Sequence, residues 1–227
     1  MRKIFFTFSM MAVVLLATSC FKSRESKEIV EVEKSADIGL FDQIRIIAPC
    51  SLSFEAGDTV IVKMNGDSKL VENIVFENED GCLVIKEDHN LRFRNGDVHI
   101  MLVAPTLQAL DLQGAGTVQL NGEVKADDMS INMEGAGTIK AEKIVCRSLS
   151  ANVKGAGSIS LKDVTSEDAS LNMNGVGSLD AKFTDSGALN CSINGVGSVN
   201  LHGNVKSFKK QVNGVGHINA DKLKVGE

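Results

Sequence analysis

A Gly-(Ala/Val)-Gly motif occurs six times in the second half of the chain, at Gly114-Ala115-Gly116, Gly135-Ala136-Gly137, Gly155-Ala156-Gly157, Gly175-Val176-Gly177, Gly195-Val196-Gly197 and Gly214-Val215-Gly216. The first glycines lie 21, 20, 20, 20 and 19 residues apart. A fixed period of this length marks a solenoid, in which each repeat is one coil stacked on its neighbour. Two residues before each first glycine stand Leu112, Met133, Val153, Met173, Ile193 and Val212, and four before stand Leu110, Ile131, Ala151, Leu171, Cys191 and Lys210. Polar residues separate these positions. The alternation resumes past the motif, with Val118, Ile139, Ile159, Leu179, Val199 and Ile218 four residues after the first glycine. A period of two belongs to half-buried strands. A third apolar segment completes each turn, through Val124 and Met129, Ile144 and Leu149, Val164 and Ala169, Phe183 and Leu189, and Val205. Three short strand-like faces in about 20 residues fit a parallel β-helix, whereas a leucine-rich repeat needs Leu-x-x-Leu-x-Leu and a helical repeat needs longer segments. The glycines then read as structural, set in the inward phase where a side chain would crowd a corner. The alternative is a phosphate cradle, but the third glycine of a dinucleotide fingerprint and the Lys-(Ser/Thr) of a Walker loop are both missing.

Arg2 and Lys3 precede an apolar run from Ile4 to Leu16, and Ala17-Thr18-Ser19 lead into Cys20. This order reads as a signal peptide over residues 1–19, with a lipobox-like end that makes Cys20 the lipidated first residue of the mature protein. Residues 20–35 are charged and poor in apolar content and read as a lipid-anchor tether. Residues 36–227 then form one β-helix domain, with irregular coils over 36–108 and repeat coils over 109–227. The net charge of −5 is spread over interspersed signs and leaves no nucleic-acid footprint. After Cys20 there remain Cys50, Cys82, Cys146 and Cys191. An oxidising envelope would permit three pairings of these, a Cys50–Cys82 bridge among them. The inward position of Cys191 argues instead for buried free thiols.

Upstream of the array the period blurs, but strand character persists from Phe41 to Ile46, Ser51 to Phe54, Thr59 to Met64 and Val98 to Val103. Asn78-Glu79-Asp80-Gly81 is a turn candidate leading into Cys82-Leu83-Val84-Ile85. The order of Phe41-Asp42-Gln43-Ile44, the Gly57-Asp58 turn, Gly81-Cys82-Leu83-Val84-Ile85, Ala104-Pro105-Thr106-Leu107-Gln108-Ala109-Leu110 and then the glycine-pair array resembles the putative auto-transporter adhesin, head GIN domain family of Bacteroidetes lipoproteins. The resemblance spans about residues 36 to 225. It departs from the family pattern at Pro49-Cys50, where a glycine is common. It implies a right-handed parallel β-helix at the cell envelope, and it carries no activity with it.

β-Helices can be polysaccharide lyases and hydrolases, whose sites gather carboxylates with Lys or Arg on one outer face. Asp127, Asp128, Arg147, Glu167 and Asp168 fall at similar places in three successive coils. They read as a charge ladder between rungs, as do Glu134 and Lys154. The column Asn132, Asn152 and Asn172 reads as an outward amide ladder. His89, His99, His202 and His217 lack metal-ligand spacing, so no metal, cofactor or catalytic residue is expected. The absence of Trp and Tyr removes the stacking platforms of common sugar-binding sites.

The expected function is therefore that of a non-enzymatic, lipid-anchored envelope β-helix, adhesin-like or scaffolding, that binds protein or matrix through a polar strand face. The membrane is its partner through Cys20, on a face of the outer membrane that the sequence leaves open. A polysaccharide-binding or polysaccharide-cleaving β-helix is a second reading. A third is an oligomeric module stacked end to end, because Lys210 takes an inward apolar place in an atypical last coil and Lys222 and Lys224 flank the final strand.

Overall fold

The computed structural model describes residues 29–33, 38–88 and 98–226. Cys20, the signal segment and most of the tether lie outside these residues, as does His89. In chain order the elements are β1 (Ile29–Glu33), β2 (Gln43–Ile46), β3 (Cys50–Ala56), β4 (Ile61–Asp67), α1 (Ser68–Val71), β5 (Ile74–Glu79), β6 (Cys82–Glu87), β7 (Val98–Ala104), β8 (Ala109–Leu112), β9 (Ala115–Met133), β10 (Ala136–Val153), β11 (Ala156–Met173), β12 (Val176–Ile193), β13 (Val196–Val212) and β14 (Val215–Val225). The chain is a parallel β-solenoid. From β9 onward each long strand bends through three faces and pairs in parallel with the next, so that Gly116, Gly137, Gly157, Gly177, Gly197 and Gly216 are all in register.

The alternation read from the sequence fills a single core. Leu112, Met133, Val153, Met173 and Ile193 form a column with 0% exposure throughout. Volume is shared between neighbouring columns. Leu120, Ala141, Leu161, Ala181 and Leu201 alternate large and small along the axis. In the coil where Ala181 is small, Phe183 replaces Val164 and is itself at 0% exposure. A close-packed interior requires such compensation, because a void or an extra methylene is felt directly.

At the glycine corner the constraint is the backbone of the adjacent coil. The Gly135 carbonyl accepts the Ala156 amide at 3.1 Å, the Gly155 carbonyl the Val176 amide at 3.1 Å, and the Gly175 carbonyl the Val196 amide at 3.0 Å. These oxygens stand where a side chain would begin. A Cβ on Gly155 would lie 2.0 Å from the Gly135 oxygen, and one on Gly177 would lie 1.9 Å from the Gly157 oxygen. Close approach, more than unusual dihedrals, demands glycine here. The middle residue of each motif points outward and carries no such restriction: Val176 is 59% exposed and Val196 51%.

Residues 38–104 are organised differently from the array. β2 and β3 form one rung, stacked in parallel on β8 and on the first part of β9. The chain then leaves the stack and runs two strands outward to β4, α1 and β5. It returns through Asp80 and Gly81, whose φ values of 51° and 85° make the tight turn between β5 and β6. β6 pairs in parallel with β2, and β7 slides in between β3 and β4. The outermost layer is antiparallel: β4 on β7, β5 on β6 and β1 on β4. Leu70 and Val71 of α1 are buried and close this end of the core.

If the carbonyl contact sets the corner, Gly155→Ala should lower stability by about 3 kcal/mol, at the upper end for overpacking. Ala156→Val, one residue away and outward, should stay within about 0.5 kcal/mol. Denaturant midpoints of the two variants compare them directly.

Candidate interaction surface

The outer side chains are bonded from rung to rung. Asn152 donates to the Asn132 amide oxygen at 2.9 Å, Asn172 to Asn152 at 3.0 Å, and the Ser192 hydroxyl to Asn172 at 2.7 Å. This is the ladder expected of the asparagine column. Each asparagine also reaches a serine two residues back, Ser130, Ser150 or Ser170. A second column beside it holds the Lys154–Glu134 pair at 2.6 Å and, further along, Asn174, Asn194 and Asn213 at 2.9 Å steps. The hydrogen bond to Glu134 raises the Lys154 pKa above its ordinary value. On a third column Glu123 receives Lys125 at 2.7 Å and Lys143 at 2.5 Å. The hydrogen bonds from Lys125 and then Lys143 hold its carboxyl down at about 2. A depressed carboxyl stabilises the fold above its ordinary value of 4.5, and that contribution fades as pH falls toward 2.

The five charged residues singled out from the sequence are all exposed, and the structure joins two of them. The Arg147 guanidinium donates to both oxygens of Asp128, at 2.9 and 2.8 Å. Asp128 and Asp168 share a column but flank Ser148. Asp127, Glu167 and Asp168 line neighbouring stretches of the outer face without entering that pair. Arg147 and Asp128 are 59% and 62% exposed, and an ion pair this open contributes about 0–1 kcal/mol. The set borders two shallow depressions, of about 640 Å³ beside Ser166, Glu167 and Lys206 and about 510 Å³ beside Asp127 and Arg147. Among the described residues no group of three His, Cys, Asp or Glu side chains converges on a metal-sized site. His202 lies 3.8 Å from Asp180, and His217 is exposed.

One feature escaped sequence reasoning. A groove of about 520 Å³ crosses the outer side of β1, β4, β7, β3 and β9, lined by Ser51, Ser53, Lys63, Asn65, His99 and Met101 among others. Its strands are scattered in the sequence and adjoin only in the sheet, so no local spacing announces it. Met101, at 44% exposure, is the one clue: an apolar residue in a polar phase.

All four described cysteines are free. Burial pushes the Cys50 thiol up to about 12, with Glu87 adding to it, and the Cys191 thiol to about 12. Burial, then Asp128, raises Cys146 to about 11. Burial also raises the half-buried Cys82.

A model of the family described as "putative auto-transporter adhesin, head GIN domain" matches residues 40–162 and again 155–227. The chain belongs to this family. The second match begins inside the first, as a repeating coil allows. Solved structures share the fold at low identity. A putative adhesin of Bacteroides fragilis superposes with a TM-score of 0.70 at 18% identity, covering 86% of this chain and 97% of that one. Those of Parabacteroides merdae and Parabacteroides distasonis give 0.66 at 16% identity and 0.63 at 15%. The first of these covers 85% of this chain and 95% of its own, and the second 87% and 97%. No curated protein matches the chain.

The thiols supply a test. At pH 8 a thiol with a pKa near 11 is thiolate on the order of one part in a thousand. Native protein should therefore show slow labelling by a thiol reagent at Cys82 first. Cys50, Cys146 and Cys191 should label only on unfolding, as mass spectrometry of the labelled peptides would show.

Proposed function

We propose that this head GIN domain protein is a non-enzymatic adhesin-like component of the cell envelope, held to the membrane by lipidated Cys20. It contacts protein or matrix through its laddered outer face. The observation that carries the reading is the amide ladder Asn132–Asn152–Asn172–Ser192, whose members hold one another at 2.7–3.0 Å. Side chains fixed by their neighbours lose little freedom on binding, so a regular polar face can engage a partner at low entropic cost. The family description and the adhesin names of the structural neighbours point the same way. An exposed ion pair such as Arg147–Asp128, with its carboxylate taken up by the guanidinium, is a poor start for acid–base chemistry.

Two experiments divide the reading. Cys20→Ala should move the protein from the membrane fraction to the soluble fraction, and retention in the membrane fraction would overturn lipid anchoring. Protease added to intact cells should remove the domain without lysis. Protection until lysis would overturn the adhesin role and leave a scaffold inside the envelope. For the face itself, Asn152→Ala with Asn172→Ala should weaken binding to a responsive matrix protein by about tenfold, or about 1.4 kcal/mol. The circular dichroism of the double variant should be unchanged.

A further inference from the structure

The two ends of the solenoid are complementary, and the geometry points to head-to-tail stacking of one copy of the chain on another, β14 of the first pairing with β1 of the second. These strands stand at opposite ends of a continuous sheet path, β1-β4-β7-β3-β9 and on to β14. Among the described residues β1 is bonded only to β4, and β14 only to β13. Each therefore presents an open row of backbone donors and acceptors. Their directions agree. β4 is antiparallel to β7 and β1 is antiparallel to β4, so the two reversals cancel and β1 runs the same way as β14. Translation along the axis would bring β1 of a second copy onto β14 with the polarity of one more parallel rung.

Among the described residues the tail leaves the core unroofed. Val212 continues a column whose five preceding members are at 0% exposure, yet it is 41% exposed itself. Val225 is 51% exposed where Val205, its partner in the previous coil, is at 2%. Lys210 follows Cys191 in register but reaches solvent from the open end. The head closes its own core with α1 and surrounds it with acid.

Charge selects the partner. Residues 202–226 carry five lysines against a single acid, Asp221. Residues 29–33, 38–88 and 98–104 carry twelve acidic side chains against four basic ones. Lysines beside an open strand are commonly read as protection against pairing. They repel a second tail, and so disfavour a symmetric tail-to-tail dimer, but they attract an acidic head. Glu31, Glu72, Glu79 and Asp80 are exposed on the outermost layer of that head. A contact between unlike ends does not close on itself, so it produces an open series of oligomers.

Sedimentation velocity on the purified chain, from micromolar to several hundred micromolar, tests this. At low salt the species should grow past two chains with concentration, and at about 0.5 M salt they should shrink as screening sets in. Lys209→Glu with Lys210→Glu should weaken association at least about tenfold, and so should Glu72→Lys with Glu79→Lys at the other end. Mixing the two variants in equal amounts should restore growth, since each then meets an opposite end. Circular dichroism melts establish that both variants fold; either one alone suffices for the charge test. A single-chain mass at every concentration overturns the proposal. So does a series that stops at two chains, or growth that survives in both variants.

Discussion

Each coil rests on the one below through the carbonyl oxygens of its glycine pair, and the register of every other column follows from that contact. With the Gly135 oxygen bonded to the Ala156 amide, coil spacing at the corner is fixed by a hydrogen bond rather than by side-chain bulk. The strands on either side are then held in step. Ile139 meets Ile159, Asn152 meets Asn172 and Met173 meets Ile193, and the register shift between Leu161 and Asp168 is made good before the next corner. A single Cβ at the corner would push two coils apart, and the displacement would pass to three faces at once. This is why the glycines recur while the residue between them drifts from alanine to valine.

The core and the outer ladders depend on that spacing in different ways. Inside, Phe183 fits because Ala181 gives way beside it, so the sequence can change as long as volume is conserved within a coil. Outside, the side chains face water, and their bonds to one another set orientation more than stability. The same scaffold can therefore carry different outer faces, which agrees with relatives that keep the fold at 15–18% identity.

The array was legible because six repeats of one pattern expose what each position must satisfy: Leu112, Met133 and Val153 could only be one buried column. The amide ladder was legible for the same reason. The cap was not. Nothing local to Val98–Ala104 says that β7 will insert between β3 and β4, since that choice rests on pairings made across tens of residues. The groove over Ser51 and His99 is hidden for the same cause. Arg147 shows a finer limit. Its coil neighbours put it level with Asp127 and Glu167, but a long guanidinium reaches diagonally, and its Nη2 donates to both oxygens of Asp128.

The interleaving of the cap also bears on the order in which the molecule can be completed. β3 is hydrogen-bonded to β7 on one side and to β9 on the other, segments that follow it by more than forty residues. The earliest rung in the chain thus waits on distant segments for both of its neighbours, whereas any coil from β10 onward finds its first neighbour in the segment made just before it. Contacts between adjacent coils propagate one step at a time, and contacts across a long intervening loop wait on chain closure. During synthesis β3, in the amino-terminal half, stays without its two parallel partners until β7 and then β9 have emerged. The acidic side chains clustered there would then serve a second purpose, keeping a run of unfinished strands apart from those of other nascent chains.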